Sequence, residues 1–258
     1  MASFPTETGT GPTRFFDSFD GTRLAWREMG EGRPVVLIHG YFSDAATNWI
    51  RYGHASAIAA AGFRVVMPDL RGHGESARSH DAASYPRDAL TRDGHALVDH
   101  LGLVDYDLGG YSLGARTTSR MLATGATPRR VIFSGMGLEG LIDVDRRAGH
   151  FRHILDNLGT HERGSPAWLA EAFLKTTGGE PVALRGVIDT FVDTPIETLR
   201  AMARPTLVVN GVDDADNGSA ANLVAALPDA TLVEVPGNHM SAVTKPELGQ
   251  AIAAFLRD

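Results

Sequence analysis

Mostly apolar runs of strand length recur along the chain, and they constrain its fold more than any other feature. Such runs are typical of strands that are covered on both faces of a sheet. Stretches with helical periodicity separate them. This alternation predicts an α/β fold with a mainly parallel sheet and helices on both faces. The predicted strands of this kind are residues 34–38, 64–67, 104–109, 130–133, 205–209 and 231–235.

The remaining local signals predict a hairpin and five helices. Asp20-Gly21 lies between residues 14–19 and 24–29, and this dipeptide favours a β-hairpin. Thr244, with Glu247 three residues later, predicts a capping box at the start of the last helix. The helices are predicted over residues 49–61, 87–101, 115–123, 220–227 and 246–256.

One long stretch has helical signals and no strand-like run. Asp143 is predicted to cap a first helix and Ser165-Pro166 to begin a second. Thr194 and Glu197 predict a capping box for a third helix, which leads back to the core. We interpret the stretch as an inserted helical cap over the open end of the sheet. The predicted units are a mobile, Thr-, Gly- and Pro-rich tail (1–13), a core (14–136 and 204–258) and the cap (137–203).

Charge and composition exclude several classes of function. The net charge of -7 offers no concentrated positive surface for nucleic acid. The chain has no cysteine, which excludes disulfides, thiolate catalysis and cysteine-ligated zinc. No apolar run approaches membrane-spanning length, and residues 1–13 lack the charged and apolar regions of a signal peptide. We therefore expect a cytoplasmic protein that acts on a small molecule, with neither nucleic acid nor a membrane as a partner.

Gly110-Tyr111-Ser112-Leu113-Gly114 is the one G-x-S-x-G sequence in the chain. It lies between a predicted strand and a predicted helix, which is the context of a nucleophile elbow, a strained turn that presents a serine hydroxyl. Glycines flank the serine because such a turn leaves little room for side chains. The first turn of the following helix would direct free backbone N–H groups at the serine. A glycine-rich turn without a catalytic role is the alternative.

Three further segments follow predicted strands, at the sheet edge where open α/β folds bind ligands: His39-Gly40-Tyr41, Gly211 to Asp214 and Gly237-Asn238-His239. A serine nucleophile needs a base because its hydroxyl is hardly ionised near neutral pH, and histidine suits that task. An aspartate then holds the imidazole in the correct tautomer. The candidates for this acid are Asp213, Asp214 and Asp216.

Together with Asp69-Leu70-Arg71-Gly72-His73-Gly74-Glu75-Ser76, these motifs resemble the α/β-hydrolase superfamily, specifically its capped, esterase-like branch. The resemblance spans nearly the whole chain after residue 13. It implies the α/β-hydrolase fold and a carboxylesterase-like serine hydrolase without a cofactor or metal. The implied site consists of Ser112 as nucleophile, Asp214 as acid, His239 as base, and the backbone N–H groups of Tyr41 and Leu113 as the oxyanion hole.

Two positions refine the resemblance. Haloalkane dehalogenases and epoxide hydrolases of this fold carry an aspartate nucleophile where this chain has Ser112, so both activities are disfavoured. Asn238 departs from the glycine that is commoner before the histidine, and it adds bulk beside the base.

His150 and His153 have i, i+3 spacing but no evident third ligand, so no metal site is predicted.

The expected reaction is cleavage of a small, fairly apolar ester or related acyl compound through an acyl-enzyme. Two alternatives remain, because a fold does not fix the chemistry. The first is carbon–carbon bond hydrolysis, a lyase reaction or perhydrolysis on the same triad. The second is a ligand receptor built on a hydrolase fold. The predicted pocket residues are Phe42, Met136, Leu138, Phe151, Trp168 and Met240.

Overall fold

One mixed sheet organises the structure, a computed structural model that describes residues 11–258. Its strands are β1 (Arg14–Asp17), β2 (Arg23–Met29), β3 (Arg33–Ile38), β4 (Phe63–Pro68), β5 (Asp107–Tyr111), β6 (Val131–Ser134), β7 (Thr206–Gly211) and β8 (Ala230–Val235). They follow the order β1-β2-β4-β3-β5-β6-β7-β8. β2 is antiparallel to both of its neighbours, and all other pairs are parallel. The predicted hairpin and mainly parallel sheet are confirmed, and residues 1–10 of the predicted tail lie outside the described residues.

The strands of the sheet centre are covered on both faces. Every residue of β5 and of β7 is buried. The predicted limits of β5 were wrong, because Val104 is exposed in the preceding turn and the strand runs on through Tyr111. Asp107 is the first residue of this strand, and its carboxylate accepts a hydrogen bond from Arg33 Nε at 2.8 Å. β5 ends at Tyr111, immediately before Ser112.

Helices pack on both faces of the sheet. One apolar cluster joins α1 and α11 to one face, and a second joins α2 and α3 to the other. α9 packs beside α3 over β7 and β8. The predicted two-sided α/β arrangement is therefore confirmed. The helices of these layers are α1 (His54–Ala60), α2 (Ala89–His100), α3 (Leu113–Ala123), α9 (Ala220–Ala226) and α11 (Pro246–Arg257).

Between β6 and β7 the described chain forms helices and no strand. They are α4 (Glu139–Ile142), α5 (Val144–Asp156), α6 (Pro166–Thr176), α7 (Pro181–Asp189) and α8 (Ile196–Arg200). The Tyr41 hydroxyl donates to the carbonyl of Leu184 at 2.6 Å, and the Thr177 hydroxyl donates to the carbonyl of Phe42 at 2.7 Å. These bonds hold α6 and α7 against the loop that follows β3. The division of the chain into tail, core and cap stays a prediction.

Several predicted helix ends were wrong. The helix expected over 49–61 is divided into a π-helical turn, Ala46–Ile50, and α1, because Gly53 adopts a left-handed conformation with φ 81°. α7 was not predicted, although Glu180 caps it by accepting from the N–H of Ala183 at 2.7 Å. Leu113, rather than Ala115, begins α3.

The predicted caps had mixed outcomes. Ser165 caps α6 as predicted, accepting from the N–H of Trp168 at 3.2 Å. Asp143 occupies the N-cap position of α5, but Asp193 instead accepts from the first N–H of that helix. The capping boxes at Thr194 and Thr244 are wrong, because their hydroxyls bond to Ser119 and to the carbonyl of Ser241.

A buried cation ties three parts of the core together. The Arg71 side chain is 1% exposed and bonds to Asp93 through Nε at 2.9 Å and Nη2 at 2.7 Å. Its Nη1 donates to Asp20 at 2.8 Å. Burial acts to raise the pKa of Asp20, but hydrogen bonds from Arg71 and Thr22 outweigh it and lower the pKa to about 2. Arg71 therefore joins the β1–β2 turn, the loop after β4, and α2.

We expect Arg71→Met to lower the free energy of unfolding by about 3–5 kcal/mol, because it leaves two carboxylates without their cation. Urea denaturation measures this loss. The matched control is Arg152→Met, which breaks a half-exposed pair with Asp189 and should cost about 1 kcal/mol or less. Similar losses in the two variants would contradict a structural role for Arg71.

Candidate active site

Ser112 occupies a strained turn between β5 and α3. Its φ of 54° and ψ of -109° lie outside the conformations that residues with a side chain usually adopt. The flanking glycines permit the turn. A Cβ on Gly114 would overlap the carbonyl oxygen of Ile38, and one on Gly110 would overlap the backbone of Gly114. The absence of side chains at these two positions lets the helix begin directly behind the serine.

The structure brings Ser112, His239 and Asp214 together from the ends of three strands. Ser112 Oγ lies 3.1 Å from His239 Nε2, and His239 Nδ1 lies 2.8 Å from Asp214 Oδ2. The side chains of His239 and Asp214 are 9% and 1% exposed. An ionised carboxylate only accepts, so Nδ1 donates to Asp214, and neutral Nε2 is left to accept from the serine hydroxyl. This geometry is suited to removing a proton from Ser112.

The three aspartates that are candidates for the acid occupy different environments. Asp214 accepts from His239 with Oδ2 and from the backbone N–H of Asp216 with Oδ1, at 3.1 Å. Asp213 is exposed. The carboxylate of Asp216 bonds to Arg147 at 2.9 Å. Asp214 is therefore the aspartate placed to orient the imidazole.

Asn238 positions His239 at the start of a short helix, α10 (His239–Ala242). Its Oδ1 accepts from the N–H groups of Met240 at 3.1 Å and Ser241 at 3.0 Å. In return, the Asn238 N–H donates to the Ser241 hydroxyl at 2.9 Å. The departure from glycine thus forms a capping box. Sequence reasoning missed it, although Asn followed three residues later by Ser was a usable signal.

The peptide between Gly40 and Tyr41 is held through its carbonyl. That oxygen accepts from His39 Nδ1 at 2.8 Å and from the N–H of Ser43 at 3.2 Å. The N–H of Leu70 donates to His39 Nε2 at 2.9 Å, which fixes the tautomer, and burial lowers the pKa of His39 and keeps it neutral. Because a trans peptide is planar, the N–H of Tyr41 is directed opposite to the fixed carbonyl.

Two backbone N–H groups beside Ser112, those of Leu113 and Tyr41, are candidates for an oxyanion hole. Leu113 is the first residue of α3, so its N–H belongs to the first turn, which has no intrahelical acceptor. Within residues 11–258, neither this N–H nor that of Tyr41 has an assigned acceptor. A Cβ on Gly40 would lie 3.5 Å from the Ser112 Cβ, so the two segments are adjacent. The oxyanion hole stays a prediction that this arrangement supports.

Asn217 also reaches the serine and was missed in the sequence. Its Nδ2 donates to the carbonyl of Gly135 at 2.8 Å and lies 3.5 Å from Ser112 Oγ. The residue is buried. No local pattern marks it, because its contact depends on how the loop after β7 packs against β6.

A cavity of about 450 Å³ opens at Ser112 and His239. Phe42, Phe151 and Met240, three of the predicted pocket residues, line it. The Phe42 and Phe151 rings lie 5.3 Å apart, and each also contacts the ring of Tyr41. Further apolar lining comes from Tyr52, Pro166, Leu169, Ala170, Phe173 and Val243. Aromatic rings therefore form a large part of the cavity wall.

The other three pocket predictions were wrong. Met136 is fully buried in the apolar cluster that α9 covers, and Leu138 packs against the same cluster. Trp168 lies on α6 but does not line the cavity. The face of α6 that does so consists of residues three or four positions apart: Pro166, Leu169, Ala170 and Phe173.

No group of three or more His, Asp or Glu side chains within residues 11–258 is arranged to hold a metal ion. In the same part of the chain, no helix has both the length and the apolar character needed to cross a membrane. His150 lines the cavity, where burial and the nearby Arg147 lower its pKa. His153 approaches His161, with the ring centroids 5.8 Å apart.

Comparisons with known proteins identify the family of the chain. Residues 33–132 match the family described as "alpha/beta hydrolase fold". Non-heme chloroperoxidase CPO-A1 of Kitasatospora aureofaciens is 30% identical over 224 residues, which cover 76% of this chain and 79% of that protein. The chain belongs to the α/β-hydrolase family.

One further relative and one solved structure of similar fold carry other activities in their names. An epoxide hydrolase of Caballeronia sordidicola is 36% identical over 107 residues, 41% of this chain and 32% of that protein. The solved structure of a thermophilic esterase from Thermogutta terrifontis has a TM-score of 0.75 at 23% identity. The match covers 96% of this chain and 98% of the esterase, which shows a shared fold.

We expect Asp214→Asn to lower kcat for ester hydrolysis by about 10⁴-fold, because an amide favours the wrong imidazole tautomer. Asp213→Asn should retain kcat within a few fold, since its carboxylate is exposed and does not bond to His239. Steady-state kinetics of both purified variants, with circular dichroism to verify folding, decide the point. A crippled Asp213→Asn beside a near-normal Asp214→Asn would place the acid one residue earlier.

Proposed function

We propose that this α/β hydrolase is a carboxylesterase-like serine hydrolase that cleaves small, fairly apolar esters or related acyl compounds. The observation that carries the proposal is the hydrogen-bonded series from Ser112 through His239 to Asp214, with distances of 3.1 and 2.8 Å. This series lies at the wall of an apolar cavity. A Ser-His-Asp series of this kind activates a serine toward carbonyl carbon.

The reaction proceeds in two halves. Ser112 Oγ attacks the carbonyl carbon while His239 Nε2 takes the hydroxyl proton, and the oxyanion accepts hydrogen bonds from the N–H groups of Tyr41 and Leu113. Collapse of the tetrahedral intermediate expels the alcohol, which takes the proton from His239. Water then gives a proton to His239 and attacks the acyl-serine, and as the acyl–oxygen bond breaks His239 returns that proton to Ser112 Oγ, releasing the acid and restoring both residues. Asp214 stabilises the imidazolium in both halves.

The cavity supports an uncharged substrate of modest size. Its volume of about 450 Å³ is within the range of small-molecule sites. Arg147 and Asp216 line it as an ion pair, so their charges largely offset one another. Burial lowers the pKa of His150, which favours its neutral form. The aromatic wall offers contacts to acyl or alkyl groups rather than to ions.

Peracid formation is a second candidate, favoured by the similarity to a chloroperoxidase. Hydrogen peroxide would replace water as the attacking group on the acyl-serine, giving a peracid and free Ser112. The first half of the reaction and the triad are unchanged. Comparing peracid and acid yields from one ester in the presence of hydrogen peroxide separates the two activities.

A chain-length series of p-nitrophenyl esters tests the main proposal. We expect the wild type to hydrolyse short-chain esters faster than long-chain esters, because the cavity has a limited volume. Ser112→Ala should lower kcat by about 10⁴-fold or more, as loss of a triad nucleophile does. Equal background rates in the two proteins, with cleavage of a diketone or tight ligand binding by the wild type, would overturn the esterase proposal.

The cavity wall generates a separate prediction. Phe151→Ala removes a ring that lines the cavity, so the ratio of kcat/KM for long to short acyl chains should rise by about tenfold or more. Trp168→Ala, on a neighbouring helix but outside the lining, is the control and should leave the ratio unchanged. If Phe151→Ala only lowered the melting temperature and left the ratio unaltered, Phe151 would be a packing residue alone.

A further inference from the structure

The second carboxylate oxygen of Asp214 links the proposed triad to a neighbouring residue. Asp214 Oδ2 faces His239, and Oδ1 accepts from the backbone N–H of Asp216 at 3.1 Å. Two bonds in different directions fix the rotation of a carboxylate. The orientation of Asp214 toward the imidazole therefore depends on the position of residue 216.

Asp216 is in turn held by a helix from the segment between β6 and β7. Its carboxylate, which is half exposed, bonds to Arg147 Nη2 of α5 at 2.9 Å. Arg147 is 16% exposed, and its guanidinium lies over the ring of Phe151, 4.9 Å from the centroid. A well-packed cation thus anchors a loop carboxylate that would otherwise be mobile in water.

We propose that Arg147 is a positioning residue for the proposed catalytic acid: it holds and neutralises Asp216, and Asp216 fixes the carboxylate of Asp214 against His239. The inference rests on the proposed function, in which these residues activate Ser112. It assigns α5 a part in arranging the acid as well as in lining the cavity.

Removal of either partner should loosen the carboxylate of Asp214 against His239. Arg147→Gln releases the Asp216 carboxylate from α5, and Asp216→Asn removes the charged partner of Arg147. In both variants the imidazole proton that donates to Asp214 should exchange with water severalfold faster, because its hydrogen bond opens more often. The double variant should exchange at the rate of the single variants, because both changes act through one contact.

The test is an NMR measurement of that exchange rate, with the proton assigned by its loss in His239→Gln. Arg152→Gln is the control, because Arg152 lies on the same helix and pairs with Asp189 at 3.1 Å, away from the cavity lining. Its exchange rate should match the wild type. Exchange in Arg147→Gln or Asp216→Asn that is no faster than in Arg152→Gln would overturn the proposal.

A second readout reports the positioning of the acid. The rate at which a serine-directed phosphonate labels Ser112, measured where the imidazole is neutral, should fall about tenfold in Arg147→Gln and recover partly in Arg147→Lys. Unchanged labelling in Arg147→Gln would overturn the positioning role. If the wild type were not labelled at all, the proposed function would fail, and the NMR exchange measurement would still decide the inference on Arg147.

Discussion

The backbone turn at Ser112 is the constraint on which the rest of the site depends. A side chain at φ 54° and ψ -109° is costly, and surrounding structure must hold it there. Here the parallel pairing of β5 with β3 and β6 fixes the strand that enters the turn, and α3 fixes the chain that leaves it. Gly110 and Gly114 remove the side chains that would prevent the close approach. The serine is thereby presented by two rigid elements rather than by a loop.

The sheet order explains how residues distant in sequence meet at that turn. β5, β6, β7 and β8 are neighbours and parallel, so the segments that follow β5, β7 and β8 emerge at the same edge. Asp214 and His239 leave adjacent strands and meet at 2.8 Å. The Asp214 side chain is almost inaccessible to water, so its bonds to His239 and to the N–H of Asp216 supply the partners that a buried carboxylate needs.

The sequence predicted the elements whose signals are local. Apolar runs located the central strands, and the glycines around Ser112 located the turn. The positions of Asp214 and His239 came from motif order, and their catalytic roles remain proposals. What depends on tertiary packing was not predictable: Met136 and Phe173 are equally apolar, yet only Phe173 faces the cavity. Likewise, the hydroxyls of Thr194 and Thr244 bond to other groups instead of capping helices.

Covalent labelling of the serine tests whether His239 activates Ser112 as a nucleophile. The wild type is treated with a fluorophosphonate, and the modified residue is located by peptide mass spectrometry. We expect a single adduct on Ser112, with labelling in His239→Gln slowed by at least about 10³-fold. An adduct on a different residue, or labelling of His239→Gln at the wild-type rate, would contradict it.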